Sequence, residues 1–203
     1  AITDVALVEL KYAQTLIEKM HDDFHKGRQF CSLMNKLATL SDQQDCFSIQ
    51  CMTIPLVQAE EIHALAEAHQ EHFFQFDIAS RTLTFKDKIS RDFVKGGWLE
   101  VYAGYECYKA LISVDHQAEL AINVTLQKNN TPNEMDVMFI YQAYLYCIEC
   151  KTAKSMAAEN AKDVLYKLSA LNDFGGLNQK RAVVSLYSLK EYNLTRAVNA
   201  DIQ

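Results

Sequence analysis

Three charged residues, Asp136, Glu149 and Lys151, lie in two neighbouring segments that have the alternating pattern of β-strands. The segments are residues 134–140 and 144–151, and a short turn joins them. Because side chains alternate between the faces of a strand, Glu149 and Lys151 share one face of the second strand. Charged side chains are seldom buried without a partner, so we expect these three residues to converge on a functional site.

This combination of residue types suits the hydrolysis of a phosphodiester bond. Carboxylate oxygens are preferred ligands of Mg²⁺ and Mn²⁺, so Asp136 and Glu149 are predicted metal ligands. A bound divalent cation acidifies a coordinated water and neutralises charge on a phosphate. A lysine beside the cation, here Lys151, can orient that water or stabilise the developing negative charge. We therefore predict catalytic roles for all three residues, with Mn²⁺ or Mg²⁺ as the cofactor.

Further metal ligands are available near these residues. The backbone carbonyl of Cys150 lies between Glu149 and Lys151 in the sequence and is a candidate metal ligand. Glu100, on the preceding predicted helix, is a candidate metal ligand and a candidate catalytic acid. Glu134 is another candidate, provided that the strand is already regular at that position. The competing interpretation is that Glu149 and Lys151 form a surface ion pair on an edge strand.

The elements that position these residues follow the order helix, three strands, helix and strand. A helical pattern covers residues 89–111 and is interrupted by Gly96-Gly97, which indicates a kink or a domain boundary. The other predicted elements are strands over 119–125, 134–140, 144–151 and 181–186, a polar turn over 127–133 and a helix over 155–171. This order indicates a mixed sheet flanked by helices, in the α+β or α/β class.

The first part of the chain is predicted to be mostly helical. Its helical segments are followed by two short strand-like runs, 73–78 and 82–85, which have the pattern of a hairpin. Helices followed by a small hairpin indicate a winged-helix-like module. We place the domain boundary near Asp92, so that residues 1–91 form a linking domain and residues 92–203 form the domain that carries the site.

Composition restricts the setting and the partners of the chain. Its net charge of −6 gives no general attraction to nucleic acid. The six cysteines show no paired framework, which favours free thiols and a cytoplasmic location. Apolar runs fall short of the roughly 18 residues that span a membrane, so no membrane partner is expected.

The predicted helix after the site carries several lysines. Lys154, Lys162 and Lys167 could follow a phosphate backbone, and a solvated helix face is the alternative. We predict Lys154 and Lys167 as nucleic-acid-binding residues.

The segments around the site resemble a known signature. Glu134-Met135-Asp136, followed by Ile148-Glu149-Cys150-Lys151-Thr152, is similar to the active-site motif of PD-(D/E)xK, or restriction-endonuclease-like, nucleases. More narrowly, residues 93–203 resemble the nuclease half of CARF-domain CRISPR ancillary nucleases. The segments that carry this resemblance are Gly96-Gly97-Trp98-Leu99-Glu100, Asn133-Glu134-Met135-Asp136-Val137, residues 148–152, Tyr166-Lys167-Leu168 with Gly175-Gly176, and Arg196-Ala197.

The resemblance implies a dimeric endonuclease that cuts DNA or RNA with Mn²⁺ or Mg²⁺. In such proteins a CARF sensor domain, which binds cyclic oligoadenylate, precedes a helical or winged-helix region and a C-terminal nuclease. Asp136 and Glu149 would hold the metal, Lys151 would be the catalytic lysine, and Glu100 would be an accessory acid. Residues 1–91 lack the strand–helix alternation that opens a CARF domain. Cyclic oligoadenylate is therefore expected as a partner only if a CARF domain precedes this chain.

The main hypothesis is a homodimeric, metal-dependent endonuclease of the CRISPR ancillary type, acting on single-stranded DNA or RNA or on duplex DNA. One alternative is another nuclease with the same fold, such as a restriction enzyme or a junction resolvase. A second alternative is a non-catalytic module for nucleic-acid binding or dimerisation. Metal-dependent cleavage separates the two enzyme hypotheses from the binding module.

Overall fold

The computed structural model describes residues 4–115, 117–128, 131–153, 161–169 and 178–203. The chain divides into two compact units, Ala1–Trp98 and Leu99–Gln203. Among the helices of the described ranges, none has the length and apolar composition needed to cross a lipid bilayer.

The first unit combines helices with a small antiparallel sheet. Its elements are α1 (Asp4–Asp22), α2 (Phe24–Gln43), β1 (Ser48–Gln50), α3 (Leu56–Ala68), β2 (Phe74–Asp77), β3 (Thr82–Phe85) and α4 (Lys88–Asp92). The strands lie in the order β1-β3-β2, and β2 and β3 form the predicted hairpin. This arrangement confirms the prediction of a mostly helical, winged-helix-like module.

An aromatic cluster forms part of the core of the first unit. The Tyr12 side chain is fully buried, and its ring centroid lies 4.9 Å from that of Phe73 and 5.5 Å from that of Phe93. Phe73 and Phe93 stack on each other with their ring centroids 4.6 Å apart. Aromatic pairs at such spacings contribute about 0.5–1.5 kcal/mol each beyond the area they bury.

Helices α1 and α2 approach each other closely where α2 begins. The side chain of Asp23 caps α2 by accepting a hydrogen bond from the backbone N–H of Lys26 at 3.0 Å. One turn later, a Cβ at Gly27 would lie 2.7 Å from the backbone Cα and N of Met20. Only a residue without a side chain therefore fits at position 27.

An ion-pair cluster links α2 to the end of the first unit. Asp42 binds the guanidinium of Arg91 at 2.6 Å and the ammonium of Lys95 at 3.0 Å. The hydrogen bond from Lys95, with the charges of Lys95 and Arg91, holds the pKa of the Asp42 carboxyl below its usual value. Arg91 is buried, so Asp42 supplies a counter-ion that this side chain requires.

The predicted interruption at Gly96-Gly97 is a π-helical turn. It covers Phe93–Gly97 and connects α4 directly to α5 (Trp98–Val114). The two glycines thus lie in a widened turn of a continuous helical segment, as in the π-bulges that accommodate an extra residue. Trp98, the sole tryptophan of the chain, begins α5 and is buried.

The second unit is built around a four-stranded mixed sheet. Besides α5, its elements are β4 (Leu120–Lys128), β5 (Thr131–Tyr141), β6 (Tyr144–Lys151), α6 (Ala161–Ser169), β7 (Asn178–Ser185) and α7 (Glu191–Asn199). The strand order is β4-β5-β6-β7, with β4–β5 and β5–β6 antiparallel and β6–β7 parallel. A mixed sheet with helices is the predicted architecture, and the prediction is confirmed.

Strands β4 and β5 are longer than predicted. The predicted bounds of the polar turn, 127–133, are wrong, because strand pairing continues to Lys128 opposite Thr131. The strands pair through backbone hydrogen bonds, which form irrespective of side-chain polarity. The side chains of Gln127 and Pro132 are exposed to solvent, so polar residues are tolerated there. The polar composition of this stretch therefore reflects exposed strand ends.

A two-residue turn sets the register between β5 and β6. Gln142 and Ala143 adopt left-handed conformations, with φ values of 48° and 63°. Positive φ at both central residues is the geometry of a type I′ hairpin, whose twist matches that of paired strands. Tyr141 then lies opposite Tyr144, and the pairing continues to Val137 opposite Ile148.

One buried guanidinium joins the ends of α6 and α7. Arg181 on β7 donates through Nη1 to the carbonyl of Leu168 at 3.4 Å and through Nη2 to the carbonyl of Ala200 at 2.5 Å. Leu165, Leu168 and Ala197 pack together in the core beside it. The charge of an arginine near the last carbonyls of two helices is favourable, so Arg181 fixes the two helix ends together.

Candidate active site

Asp136 and Glu149 are brought together by the register of the two central strands. Val137 lies opposite Ile148, and Asp136 and Glu149 are the next residues outward on their strands. The two acidic residues are only 6% and 2% exposed. The backbone N–H of Cys150 donates a hydrogen bond to Asp136 Oδ2 at 2.5 Å. This bond anchors one buried carboxylate to the neighbouring strand.

Two ammonium groups balance the charge of Glu149. Lys151 Nζ lies 2.6 Å from Glu149 Oε1, and Lys167 Nζ lies 2.7 Å from Glu149 Oε2. Lys151 Nζ also lies 3.9 Å from Asp136 Oδ2. The structure thus brings together Asp136, Glu149 and Lys151, which the sequence singled out, and adds Lys167 to them.

The cluster shifts the pKa values of its members. Burial raises the pKa of Asp136, and the negative charge of Glu149 raises it further. The hydrogen bond from the Cys150 N–H and the charges of the two lysines lower this pKa, but by less. Burial alone would lower the pKa of Lys151, but its hydrogen bond and charge interactions with Glu149 and the charge of Asp136 outweigh that effect. The pKa of Lys151 is therefore raised, and the side chain is an ammonium group at neutral pH.

Glu100 on α5 belongs to the same electrostatic cluster. Its pKa is raised to about 7, first by burial and then by the charge of Asp136, while Lys151 opposes the shift. Glu134, which is exposed, and Glu149 raise it further. Glu100 therefore lies within the field of the two buried acids, as expected for an additional carboxylate of this site.

The candidate donors are of the chemical type that a hard divalent cation prefers. They are the carboxylate oxygens of Asp136, Glu149 and Glu100 and the backbone carbonyl of Cys150. Burial raises the pKa of the Cys150 thiol, so the sulfur stays protonated and is a poor metal ligand. Across the described ranges, no three or more His, Cys, Asp or Glu side chains are gathered closely enough to hold a metal. Instead, each oxygen of Glu149 contacts a lysine. A bound cation would take over part of the charge balance that these two lysines provide.

The two predicted nucleic-acid-binding lysines have different outcomes. Lys154 lies outside the described residues, so nothing in the structure bears on it. Lys167 is about one-quarter exposed and directs its ammonium to Glu149. Helical spacing separates Lys167 from the buried stripe of α6, which is formed by Ala161, Leu165 and Leu168. The contact itself depends on the path of the chain between β6 and β7, which residue spacing does not specify.

A mixed sheet whose central strands carry an Asp and a Glu-x-Lys at one end defines the restriction-endonuclease-like class of nucleases. A family model described as the Card1-like endonuclease domain matches residues 87–203 of this chain. The chain belongs to this family. The resemblance to nucleases of the CRISPR ancillary type, noted from the sequence, is thereby confirmed.

Two solved structures share the fold. Protein VC1899 from Vibrio cholerae is 22% identical and aligns with a TM-score of 0.71 over 97% of this chain and 50% of its own. Can2 from Sulfobacillus thermosulfidooxidans, solved in complex with cyclic tetra-adenylate, is 23% identical, with a TM-score of 0.67 over 97% of this chain and 51% of its own. This chain thus spans about half the length of both. No curated protein matches it by sequence.

Proposed function

We propose that this chain is a divalent-metal-dependent endonuclease that hydrolyses phosphodiester bonds in DNA or RNA. Its membership of an endonuclease family supports the reaction class. The observation that carries the proposal is the convergence of Asp136, Glu149 and Lys151 at one end of the two central strands. A surface ion pair would leave Glu149 solvated, whereas Glu149 is 2% exposed.

The residues of this site would have different roles in hydrolysis. Asp136 and Glu149, with the carbonyl of Cys150 and the carboxylate of Glu100 as further donors, would hold Mn²⁺ or Mg²⁺. The bound cation supplies an acidified water and neutralises phosphate charge. Lys151 keeps its proton beside both acids, so it can orient the attacking water and stabilise negative charge on the phosphate oxygens.

A cleavage assay with labelled oligonucleotides tests the proposal. Single-stranded DNA, single-stranded RNA and duplex DNA are incubated with Mn²⁺, Mg²⁺ or a chelator. We expect cleavage with a metal and none with the chelator. Asp136→Ala and Lys151→Ala should each slow cleavage by at least about 100-fold. Lys109→Ala is the matched control, because this lysine is exposed on α5 and pairs only with Glu106 in its described ion pairs.

Circular dichroism spectra establish that each variant keeps its fold. Parent-like cleavage by both Asp136→Ala and Lys151→Ala would mean that the site is elsewhere. If the parent cuts none of the three substrates with either metal but still binds them, the chain is a non-catalytic module.

We also propose that the enzyme acts as a homodimer in the cytoplasm, and that cyclic oligoadenylate is a partner only if a CARF domain precedes this chain. The second proposal is supported by Can2, which was solved with cyclic tetra-adenylate and has a chain about twice as long. Added cyclic tetra-adenylate should therefore leave cleavage by this chain unchanged, and a clear rate increase would contradict this part of the proposal. Light scattering after size exclusion measures the oligomeric state.

A further inference from the structure

A groove of about 210 Å³ lies between helices α6 and α7. Lys162, Tyr166 and Ser169 line it from α6, and Arg196 and Asn199 line it from α7. These residues recur every three or four positions, so each helix turns a single face towards the groove. The groove is a continuous strip of side chains from two neighbouring helices, separate from the acidic cluster.

Buried contacts fix the positions of the two helices that form this groove. The buried Arg181 guanidinium binds the carbonyl of Leu168 at the end of α6 and the carbonyl of Ala200 just after α7. Leu165 and Leu168 of α6 pack with Ala197 of α7 in the core. The separation of the two helices is therefore fixed by buried contacts, and a ligand would meet a preformed groove.

The chemistry of the groove suits a single strand of nucleic acid. Among the described residues that line it, Lys162 and Arg196 are cationic and none carries a carboxylate. The Tyr166 side chain is 62% exposed, so among the described residues its ring is open to a ligand. Tyr192 lies beside the groove, with its ring centroid 5.8 Å from the Arg196 guanidinium carbon. Exposed rings among cations provide stacking surfaces for bases and contacts for phosphates.

The size and position of the groove narrow the ligand further. About 210 Å³ is below the roughly 300–1,000 Å³ of drug-sized pockets, so the groove suits one part of an extended chain better than a whole small-molecule ligand. On α6, the groove residues lie on one side of the buried stripe and Lys167, which binds Glu149, lies on the other. A helix with its side chains is about 10–12 Å across, so a short strand can reach both.

We propose that the α6–α7 groove is an accessory subsite for single-stranded DNA or RNA. Lys162 and Arg196 bind a phosphate, and the ring of Tyr166 stacks on a base. The subsite holds a nucleotide away from the cleaved bond and so keeps the strand on the enzyme. This inference rests on the proposed nuclease function, because it assigns the groove to the substrate of that reaction.

Binding of a fluorescent oligothymidylate, and of its RNA counterpart, tests the subsite. The full chain is used with a chelator, and a gel establishes that the strand stays intact. Tyr166→Ala should weaken binding by about 5- to 150-fold, the range measured when one stacking ring is removed. Lys162→Ala and Arg196→Gln should each lower the slope of log affinity against log salt, by at most about 0.7 because the two cations share one phosphate.

Two controls separate the groove from general effects. Tyr108→Ala removes another exposed tyrosine, on α5, and Lys190→Ala removes a lysine next to α7 that does not line the groove. Both should bind like the parent. A strand without bases should lose affinity with Lys162→Ala but not with Tyr166→Ala, because only the base stacks.

The outcomes distinguish this inference from the proposed function. If the three groove variants bind both strands as tightly as the parent, the subsite does not exist, and the cleavage assay still decides the function. If Tyr166→Ala weakens the strand without bases equally, stacking is refuted. If the groove variants lose binding while the parent fails to cleave with either metal, the groove stands and the nuclease proposal fails.

Discussion

Removing the ammonium group of Lys167 should destabilise the sheet that carries the buried acids. In a Lys167→Met variant, Glu149 loses the partner that lies 2.7 Å from its Oε2. Breaking a buried ion pair costs about 3–5 kcal/mol, and a hydrogen bond to a charged group is worth about 1.5–3 kcal/mol. Glu149 keeps Lys151 at 2.6 Å, and the Lys167 side chain is 26% exposed, so the lower range applies. We expect a loss of about 1.5–3 kcal/mol.

Hydrogen exchange is the suitable assay, because the two units of the chain need not unfold together. Amides of β5 and β6 report the free energy of opening of this sheet itself. The expected loss corresponds to exchange about 10- to 150-fold faster than in the parent. Lys162→Met is the matched control on the same helix, and it should change the free energy by no more than about 0.5 kcal/mol.

A double-mutant cycle with Glu149→Gln isolates the contact. Once the carboxylate is neutral, Lys167→Met should cost much less, giving a coupling energy of about 1–2 kcal/mol. A coupling energy indistinguishable from zero would show that Lys167 and Glu149 do not interact as described. If Lys162→Met lowers the free energy of opening as much as Lys167→Met does, the loss comes from placing methionine on the surface of α6 and not from the contact with Glu149.

Two further predictions concern the packing and the acid stability of the chain. Gly27→Ala should destabilise the first unit by about 1–3 kcal/mol, because the new Cβ meets the backbone of Met20 at 2.7 Å. Gly104→Ala should cost less, because the one close contact of its Cβ, at 2.8 Å, is a side-chain methyl of the exposed residue Ile122, and the next atoms lie at 3.8 Å or more. The same thermal melts compare the two variants, and a larger loss for Gly104→Ala than for Gly27→Ala would contradict this. The pKa of the Asp42 carboxyl is lower in the folded state than in the unfolded state, where it is about 3.9. The ionised carboxylate therefore contributes its full stabilisation above about pH 3.9, and this stabilisation is lost as the pH falls through the lower, folded-state pKa. The gap in Tm between the parent and Asp42→Asn should therefore close as the pH falls below about 4, and a gap that is constant down to about pH 2 would exclude this role.

The strands that carry the site could be predicted from the sequence because their side chains alternate. Tyr144–Lys151 forms a strand with the predicted bounds, and the short turn before it fixes the partner strand. Once these two strands pair, Asp136 and Glu149 must lie near each other. The buried acids of the site are therefore a consequence of local pattern and register.

Other features depend on tertiary contacts that a local pattern does not contain. Helix α7 has no counterpart among the predicted elements. Gln127 and Lys128 pair with Pro132 and Thr131 as strand, because polar side chains do not weaken the backbone ladder. The bond from Lys167 to Glu149 requires α6 to lie beside β6, which follows from the crossover to β7. The groove between α6 and α7 likewise depends on tertiary contacts, namely the Arg181 bonds to both helix ends and the packing of Leu165 and Leu168 with Ala197.

The burial of Trp98 has a practical consequence for spectroscopy. This indole is 1% exposed, and residues 99–203 contain no second one. Its emission should therefore be blue-shifted and insensitive to dissolved quenchers, and it should redden when the segment around Trp98, where α5 begins, unfolds. Native tryptophan fluorescence would therefore report unfolding at this one position, with no contribution from a second indole.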